Sequence, residues 1–252
     1  MAQRLGQHFL VSQSALRRIA EAACPDSQAQ VIEIGPGKGA LTAWLLDRAE
    51  RVIAVELDSR LAVHLRERFG SHPRLLVVEA DVLETDLSQW GRAPVVGNLP
   101  YYITSPILEK VLRLGPDLVP HAVFLLQREV AERLVASPGT RDYGFLTVQT
   151  QFFARPELLF TVPPGAFQPP PKVDSAVVRL TLRPEAERVV TEDTDGFLRF
   201  LGRSFAQKRK TLRNNLAGFY GKNALDGLPE ASLRAEQLPL EQFAALYRRL
   251  AS

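Results

Sequence analysis

Cysteine is almost absent from this chain: Cys24 is the single cysteine among 252 residues. No disulfide can form within the chain, and this usage is typical of a reducing compartment, so we expect a cytoplasmic protein. The four histidines are scattered and do not show the spacing of metal ligands. No serine stands in a Gly-x-Ser-x-Gly motif. We therefore expect no metal and no serine nucleophile of that kind.

Long apolar runs and a strong charge imbalance are also missing. No uninterrupted apolar stretch is long enough to cross a bilayer, and Arg4, Arg17 and Arg18 interrupt the first twenty residues, which argues against a secretory signal. The formal charge is +3, from 31 basic and 28 acidic residues, and this alone does not indicate a nucleic-acid partner. We expect a monomer without a membrane partner.

The apolar residues make up 46% of the chain, which is ample for a packed core. As far as about residue 150, short apolar strands alternate with helical segments, which predicts a parallel, doubly wound α/β sheet. The predicted strands cover residues 31–34, 52–56, 74–78 and 122–126, and a further strand begins at Val95 and leads into Asn98. Ser12 is a plausible N-cap for a helix over residues 13–23.

After residue 150 the pattern changes. Two strands, over residues 152–162 and 173–182, flank a segment too rich in proline for a helix or a central strand. Residues 183–188 resemble a linker, and residues 192–251 have a helical pattern. We therefore predict a large domain over residues 1–185 and a small helical domain over residues 186–252.

The sequence around Asn98 predicts a ligand site. An apolar strand ends at Gly97 and is followed by Asn98-Leu99-Pro100-Tyr101, and ligands bind where the strands of an open α/β sheet end. The Asn98 amide oxygen is an acceptor, Pro100 restricts Leu99 to extended backbone, and Tyr101 offers a flat face for stacking. These groups suit a planar amine, whereas the structural alternative is a turn that satisfies the Asn98 side chain.

A glycine-rich turn over residues 35–39 lies between a predicted strand and a helix, where a ligand can approach the backbone closely. Glu56 ends the next strand, 21 residues after Gly35 (56 − 35), which is the place for an acid that holds ribose hydroxyls. Asp81 follows the third strand and could accept from an adenine amino group. The structural alternative is a tight turn with solvent-facing acids.

Two nucleotide-like cofactors fit this turn. The dinucleotide pattern Gly-x-Gly-x-x-Gly/Ala is matched loosely by Gly35, Gly37 and Ala40. S-adenosylmethionine favours Glu/Asp-x-Gly-x-Gly-x-Gly, which Glu33, Gly35, Gly37 and Gly39 match fully. We favour S-adenosylmethionine.

Six segments in this order resemble the KsgA (RsmA) family of rRNA adenine dimethyltransferases, from residue 3 to about residue 220. They are Gln7-His8-Phe9-Leu10, the residues 33–39, Glu56-Leu57-Asp58, Asn98-Leu99-Pro100-Tyr101, the residues 167–175 and the residues 207–216. The family often has Asn where this chain has His8, and both side chains can donate a hydrogen bond.

The resemblance implies a Rossmann-like methyltransferase sheet with an antiparallel strand pair at its edge, and a small helical C-terminal domain that faces RNA. It implies S-adenosylmethionine as methyl donor. It implies that the acceptors are two adjacent adenosines near the 3′ end of the 16S rRNA of the small ribosomal subunit, each receiving two methyl groups. The candidate donor-binding residues, from the glycine turn and the resemblance together, are His8, Leu10, Gly35, Gly37, Glu56, Asp81 and Asn98.

An adenine amino group is a poor nucleophile, so the predicted chemistry is positioning by hydrogen-bond acceptors. The candidate catalytic residues are Asn98, Leu99, Pro100, Tyr101 and Phe167. Asn98 and the Leu99 or Pro100 carbonyl would accept from the amine, and Tyr101 and Phe167 would sandwich a base that has left its stack. The alternative for Phe167 is a core residue.

Basic residues cluster between positions 203 and 213, which suits contacts to phosphates. The candidate RNA-binding residues are Arg203, Lys208, Arg209, Lys210 and Arg213. The alternative is a solvated helix face.

Two other functions remain open at this point. An Erm-type large-subunit rRNA methyltransferase shares the donor site, but the segment 208–216 fits it poorly. The third function is a non-catalytic nucleic-acid-binding assembly or transcription factor on the same fold. Loss of the donor-binding residues would favour it, but Gly35, Glu56, Asp81 and Asn98 are all present.

Overall fold

The computed structural model of the protein describes residues 8–190 and 192–251, and of Tyr101 only the backbone. The strands of this part are β1 (Phe9–Leu10), β2 (Val31–Ile34), β3 (Val52–Glu56), β4 (Leu75–Glu79), β5 (Val95–Asn98), β6 (His121–Gln127), β7 (Ala154–Val162), β8 (Phe167–Gln168) and β9 (Ser175–Leu182). The helices are α1 (Gln13–Ala23), α2 (Ala40–Leu46), α3 (Ser59–Phe69), α4 (Thr104–Arg113), α5 (Arg128–Leu134), α6 (Phe145–Phe153), α7 (Thr194–Ser204), α8 (Leu212–Tyr220), α9 (Lys222–Leu225) and α10 (Leu240–Ala251).

Seven strands form the main sheet in the order β4-β3-β2-β5-β6-β9-β7. The first five of these are parallel to their neighbours, and β9 pairs antiparallel with β6. Every residue of β2 and β3 is buried, as expected for strands covered on both faces. The predicted parallel sheet is confirmed. The chain adds strands on one side of β2 as far as β4 and then continues on the other side with β5, and an open sheet binds its ligand at such a switch point, here between β2 and β5.

Helix α1 begins as predicted. The Ser12 hydroxyl oxygen accepts from the Ala15 backbone N–H at 3.4 Å, so it caps the helix that runs to Ala23. Leu16 and Ile19 are each 1% exposed and belong to the core. The helix therefore carries the chain from β1 to the sheet with one face buried.

The predicted strand over residues 152–162 begins too early. The strand β7 starts at Ala154, and the residues before it form α6, which the sequence analysis missed. Both faces of α6 are largely buried, from Thr147 to Phe153. Its polar residues, Thr147, Gln149, Thr150 and Gln151, are themselves buried or half-buried, so the sequence does not show the separate apolar and polar faces that mark a surface helix.

The chain forms two compact units, and residues 132–154 depart from the predicted domain boundary. The first unit contains the described residues up to Ala131 together with Arg155–Leu182, and the second contains Glu132–Ala154 and the described residues from Arg183. The predicted boundary at 185/186 lies close to the division after Leu182, but α6 belongs to the second unit. Its Phe152 ring lies 5.3 Å from the Phe197 ring of α7, so aromatic packing joins α6 to the helical unit.

No helix in residues 8–190 and 192–251 is both long enough and apolar enough to span a membrane.

Candidate active site

A cavity of about 320 Å³ lies at the carboxyl ends of the parallel strands, inside the first unit. All seven candidate donor-binding residues line it: His8, Leu10, Gly35, Gly37, Glu56, Asp81 and Asn98. They come from β1, from the turn after β2 and from the ends of β3, β4 and β5. The fold thus brings together residues that are up to ninety positions apart in the chain (98 − 8), while their contact with a donor stays a prediction.

The glycine turn after β2 requires residues without a side chain. Gly37 and Gly39 have φ angles of +57° and +77°, in the left-handed region. A Cβ on Gly37 would lie 3.0 Å from the Phe9 ring, and one on Gly39 would lie 2.6 Å from the Phe69 ring. The turn is therefore packed against side chains on one side while its backbone faces the cavity on the other.

Glu56 holds this turn in place. One carboxylate oxygen accepts from the Gly37 backbone N–H at 3.0 Å, and the other accepts from the Asp58 backbone N–H at 2.9 Å. Burial raises the pKa of Glu56, and the two N–H donors act in the opposite direction. A carboxylate has about four acceptor positions, so each oxygen keeps a position for a ligand hydroxyl.

Glu33 is a second acid that lines the cavity. It is 1% exposed and accepts from the Thr42 hydroxyl at 2.6 Å. The pKa of Glu33 is raised to about 8, mainly by burial; the Thr42 hydrogen bond acts to lower it and the neighbouring Glu56 charge acts to raise it. At neutral pH its carboxyl group therefore carries a proton in most molecules.

The loop after β5 presents acceptors to the cavity. The Asn98 amide nitrogen donates to the His8 carbonyl at 3.1 Å, so the side-chain oxygen Oδ1 is the end that stays available to accept. The Pro100 carbonyl already accepts from the Ile103 backbone N–H at 3.2 Å and from the Thr104 hydroxyl at 3.1 Å. Of the two predicted backbone acceptors, the Leu99 carbonyl is therefore the freer one.

Asp81 and His8 are each fixed by one contact to the backbone. The Asp81 oxygen Oδ1 accepts from the Leu83 backbone N–H at 2.8 Å, which leaves Oδ2 for an amino group. The His8 nitrogen Nδ1 lies 2.8 Å from the Pro169 carbonyl and donates to it. This bond connects the proline-rich segment to the rim of the cavity.

Phe167, the predicted stacking partner, lies among buried residues. Its ring is 4% exposed and belongs to the hydrophobic core, because β8 pairs with β1 and sets Phe167 opposite Leu10. Phe167 is not among the residues that line the cavity, and its stacking on a base stays a prediction beside the alternative of a core residue. The other predicted partner is the Tyr101 side chain, which lies outside the described part of the structure.

The basic cluster lies in the second unit and is only partly free. Lys208 donates to the Arg141 carbonyl at 2.7 Å, and Arg213 pairs with Asp226 at 2.5 Å. Arg209 and Lys210 are exposed, and no ion pair is found for them among the described residues. The loop that carries them is anchored by Asn215, whose amide donates to the Ser204 carbonyl at 2.8 Å and to the Gln207 carbonyl at 3.3 Å.

Phe9, Leu57 and Tyr102 are among the side chains that line the cavity and that the sequence analysis did not predict as site residues. Leu57 is 51% exposed and Tyr102 is 60% exposed. Each is a direct sequence neighbour of a predicted site residue. That position in the sequence is the signal that could have identified them. Within the described residues, no three His, Cys, Asp or Glu side chains are grouped so that they could hold a metal ion.

Comparison with known proteins gives a consistent result over the whole chain. Residues 1–252 match the family described as Ribosomal RNA adenine dimethylase. A Ribosomal RNA small subunit methyltransferase A from Acidobacterium capsulatum is 50% identical, over 98% of this chain and 90% of the relative. The protein of the same name from Acinetobacter baylyi is 44% identical, over 97% of this chain and 90% of the relative.

Two solved structures are similar along nearly the full length. A dimethyladenosine transferase from Plasmodium falciparum has a TM-score of 0.81 and 27% identity, covering 97% of this chain and 98% of the other. The 23S rRNA methyltransferase ErmE has a TM-score of 0.73 and 33% identity, covering 97% of this chain and 100% of the other.

The raised pKa of Glu33 predicts a specific pH dependence of stability. The Glu33 pKa is about 8 in the folded protein against a reference value of 4.5, so between these values the folded state binds more protons. The free energy of unfolding should therefore fall as the pH rises from about 4.5 to 8. Glu33→Gln keeps an acceptor for Thr42 but cannot ionise, so its stability should fall less over this range.

The measurement is urea unfolding at pH 5 and pH 8 for wild type and Glu33→Gln. Glu50→Gln, at an exposed position, is the matched control and should follow the wild type. A Glu33→Gln protein with the wild-type pH dependence would contradict the assignment.

Proposed function

The chain belongs to the ribosomal RNA adenine dimethylase family, and we propose that it acts on the small ribosomal subunit with S-adenosylmethionine as donor. The reaction is methylation of the N6 amino groups of two adjacent adenosines near the 3′ end of 16S rRNA, giving N6,N6-dimethyladenosines during small-subunit biogenesis. The observation that carries the proposal is that the glycine turn, Glu56, Asp81 and Asn98 all line one cavity.

The residues of the cavity fit the donor. The Glu56 carboxylate has acceptor positions left for two ribose hydroxyls, and Asp81 has a free oxygen for the adenine amino group. The backbone at Gly35 and Gly37 can be approached closely because neither residue has a side chain. S-adenosylmethionine supplies a methyl group on a positively charged sulfur, and the acids lining the cavity suit that charge.

The loop after β5 would activate the acceptor. The lone pair of an adenine amino nitrogen is delocalised into the ring, so the nitrogen is a weak nucleophile. If Asn98 Oδ1 and the Leu99 carbonyl accept the two amino hydrogens, they hold the nitrogen in place and favour a tetrahedral geometry with its lone pair free. This work is positioning and requires neither a metal nor a strong base.

The second unit is the proposed RNA-facing part. Exposed Arg209 and Lys210 suit contacts with phosphates, and Lys208 keeps two N–H donors after its bond to the Arg141 carbonyl. The target base has to leave its stack before it reaches the cavity. The RNA backbone contacts would hold the substrate while this happens.

An Erm-type reaction on large-subunit rRNA is the second candidate, favoured by the similarity to ErmE. The identities of 44–50% to proteins named for the small subunit favour the first. A methylation assay with labelled donor, on unmethylated small subunits beside large subunits, decides between them. A non-catalytic role is disfavoured because the candidate donor-binding residues are intact and line one cavity.

Glu56→Ala should weaken binding of S-adenosylmethionine by about 1.5–3 kcal/mol, because it removes hydrogen bonds to a charged group. Calorimetry measures this affinity, with a thermal melt to show that the variant is folded. Glu79→Ala is the control, since Glu79 ends the neighbouring strand β4 but does not line the cavity. Unchanged donor affinity in folded Glu56→Ala would remove the assignment.

Asn98→Ala should slow methyl transfer by about 10²–10³, the effect of losing one preorganised hydrogen-bonding group. The measurement is single-turnover transfer to small subunits at saturating donor, beside a thermal melt and a separate measurement of donor affinity. Asn223→Ala, at an exposed position in the second unit, is the control. A normal rate at saturating donor would exclude a catalytic role for Asn98.

Neutralising Lys208, Arg209 and Lys210 should weaken RNA binding and make it depend less on salt. The slope of the logarithm of the binding constant against the logarithm of the salt concentration should become shallower by about 0.7–0.9 for each phosphate contact that is lost. Affinity for the donor should not change, because its cavity lies in the other unit. A matched triple variant neutralises exposed residues of the first unit: Arg17, Arg51 and Arg92. If the two triple variants have the same slope, the cluster is a solvated loop surface without contacts to RNA phosphates.

A further inference from the structure

Phe219 is an aromatic side chain on the surface of the second unit. It lies near the end of α8 and is 58% exposed, although the other aromatic residue of that helix end, Tyr220, packs towards the Phe200 ring at 6.1 Å. The described core of this unit is built from buried rings such as Phe197 and Phe243. Phe219 does not belong to that core, so its ring is available to a partner.

An arginine covers part of this ring. The guanidinium carbon of Arg203, in the last turn of α7, lies 4.0 Å from the centre of the Phe219 ring. This distance is typical of a cation–π contact, which holds both groups in a fixed relation. The pair therefore presents a planar apolar surface beside a positive charge.

The backbone next to the ring leaves room for a flat ligand. Gly218 directly precedes Phe219, and Gly221 follows two residues later. Apart from its chain neighbours and, for Gly218, its own helix backbone, a Cβ placed on either glycine would meet no heavy atom within 4 Å. These two glycines therefore add no side chain to the surface on either side of Phe219.

The sequence on either side of the pair is rich in exposed basic residues, which favours an anionic partner. They are Arg199, Arg209, Lys210, Arg213 and Lys222, of which Arg213 pairs with Asp226. An exposed aromatic ring with an arginine beside it, among cationic side chains, is the combination with which proteins bind unpaired nucleotides: the ring stacks on a base and the cations meet the phosphates.

We propose that Phe219 and Arg203 form a stacking platform for an unpaired RNA base in the second unit. The inference rests on the proposed function, because it takes RNA as the substrate. It adds a contact to a base, whereas the basic cluster offers contacts to phosphates. Stacking does not release counterions as phosphate contacts do. The platform and the basic cluster can therefore be separated by their salt dependence.

The test is the affinity of the full-length protein for two RNA probes at several salt concentrations. One probe is a single-stranded oligoribonucleotide with the 3′-terminal 16S rRNA sequence, and the other is its fully paired duplex. Phe219→Ala should weaken binding of the single strand about 5- to 150-fold and leave the salt slope unchanged. Binding of the duplex should not change, because its bases are already stacked.

Two further variants separate stacking from apolar contact. Phe219→Leu keeps an apolar side chain without a ring and should lose most of the affinity that Phe219→Ala loses, whereas Phe219→Tyr should bind as wild type. Val63→Ala, at a residue of α3 that is 48% exposed, controls for the loss of an exposed apolar group. Thermal melts show that each variant folds.

Four outcomes would overturn the platform. Phe219→Ala or Phe219→Leu could bind the single strand like wild type, or the loss could be equal for the duplex. Wild-type self-association in sedimentation that Phe219→Ala abolishes would assign the surface to a second copy of the chain. Wild-type protein that binds neither probe would remove the RNA-facing role of the second unit as well, whereas normal binding by Phe219→Ala removes the platform alone.

Discussion

A buried carboxylate, that of Glu56, connects the two loops that form one wall of the cavity. It accepts from the backbone N–H of Gly37, after β2, and from that of Asp58, after β3. Without it, two backbone donors would have no partner, each at a cost of about 1–3 kcal/mol if it stayed buried. The two hydrogen bonds to Glu56 help to hold the turn, in which the glycines have left-handed backbone. The same carboxylate still has lone pairs that can accept from a ligand.

A second acid in the same cavity, Glu33, affects which ligand charge the cavity favours. Glu33 and Glu56 are both buried, and the charge on Glu56 helps to raise the pKa of Glu33 to about 8. Near neutral pH the site thus avoids two adjacent negative charges, since Glu33 mostly keeps its proton. A ligand that brings a positive charge and hydroxyl groups compensates for the remaining negative charge better than a phosphate would, because a phosphate would add to it.

The sheet and the strand-end residues could be predicted because both follow from local patterns. Continuous apolar runs alternate with helices, and Glu56 and Asn98 stand at the ends of those runs. The direction in which a side chain points could not be predicted in this way, since it depends on partners that are distant in sequence. Pairing of β8 with β1 turns Phe167 into the core, and Lys208 is engaged by the Arg141 carbonyl. The helix α6 was missed because nearly all of its surface is buried.

The proline-rich segment is connected to the candidate site by a hydrogen bond to its backbone. The Pro169 carbonyl accepts from His8, and the His8 carbonyl accepts from the Asn98 amide nitrogen. This chain of two hydrogen bonds fixes which end of the Asn98 amide faces the cavity, because the nitrogen is already bound. An amide free to rotate could also turn its donor end towards the cavity, and a donor would repel the amino hydrogens that Asn98 is proposed to bind. The segment 163–171 and β1 therefore support the acceptor at Asn98 from outside the sheet that carries it.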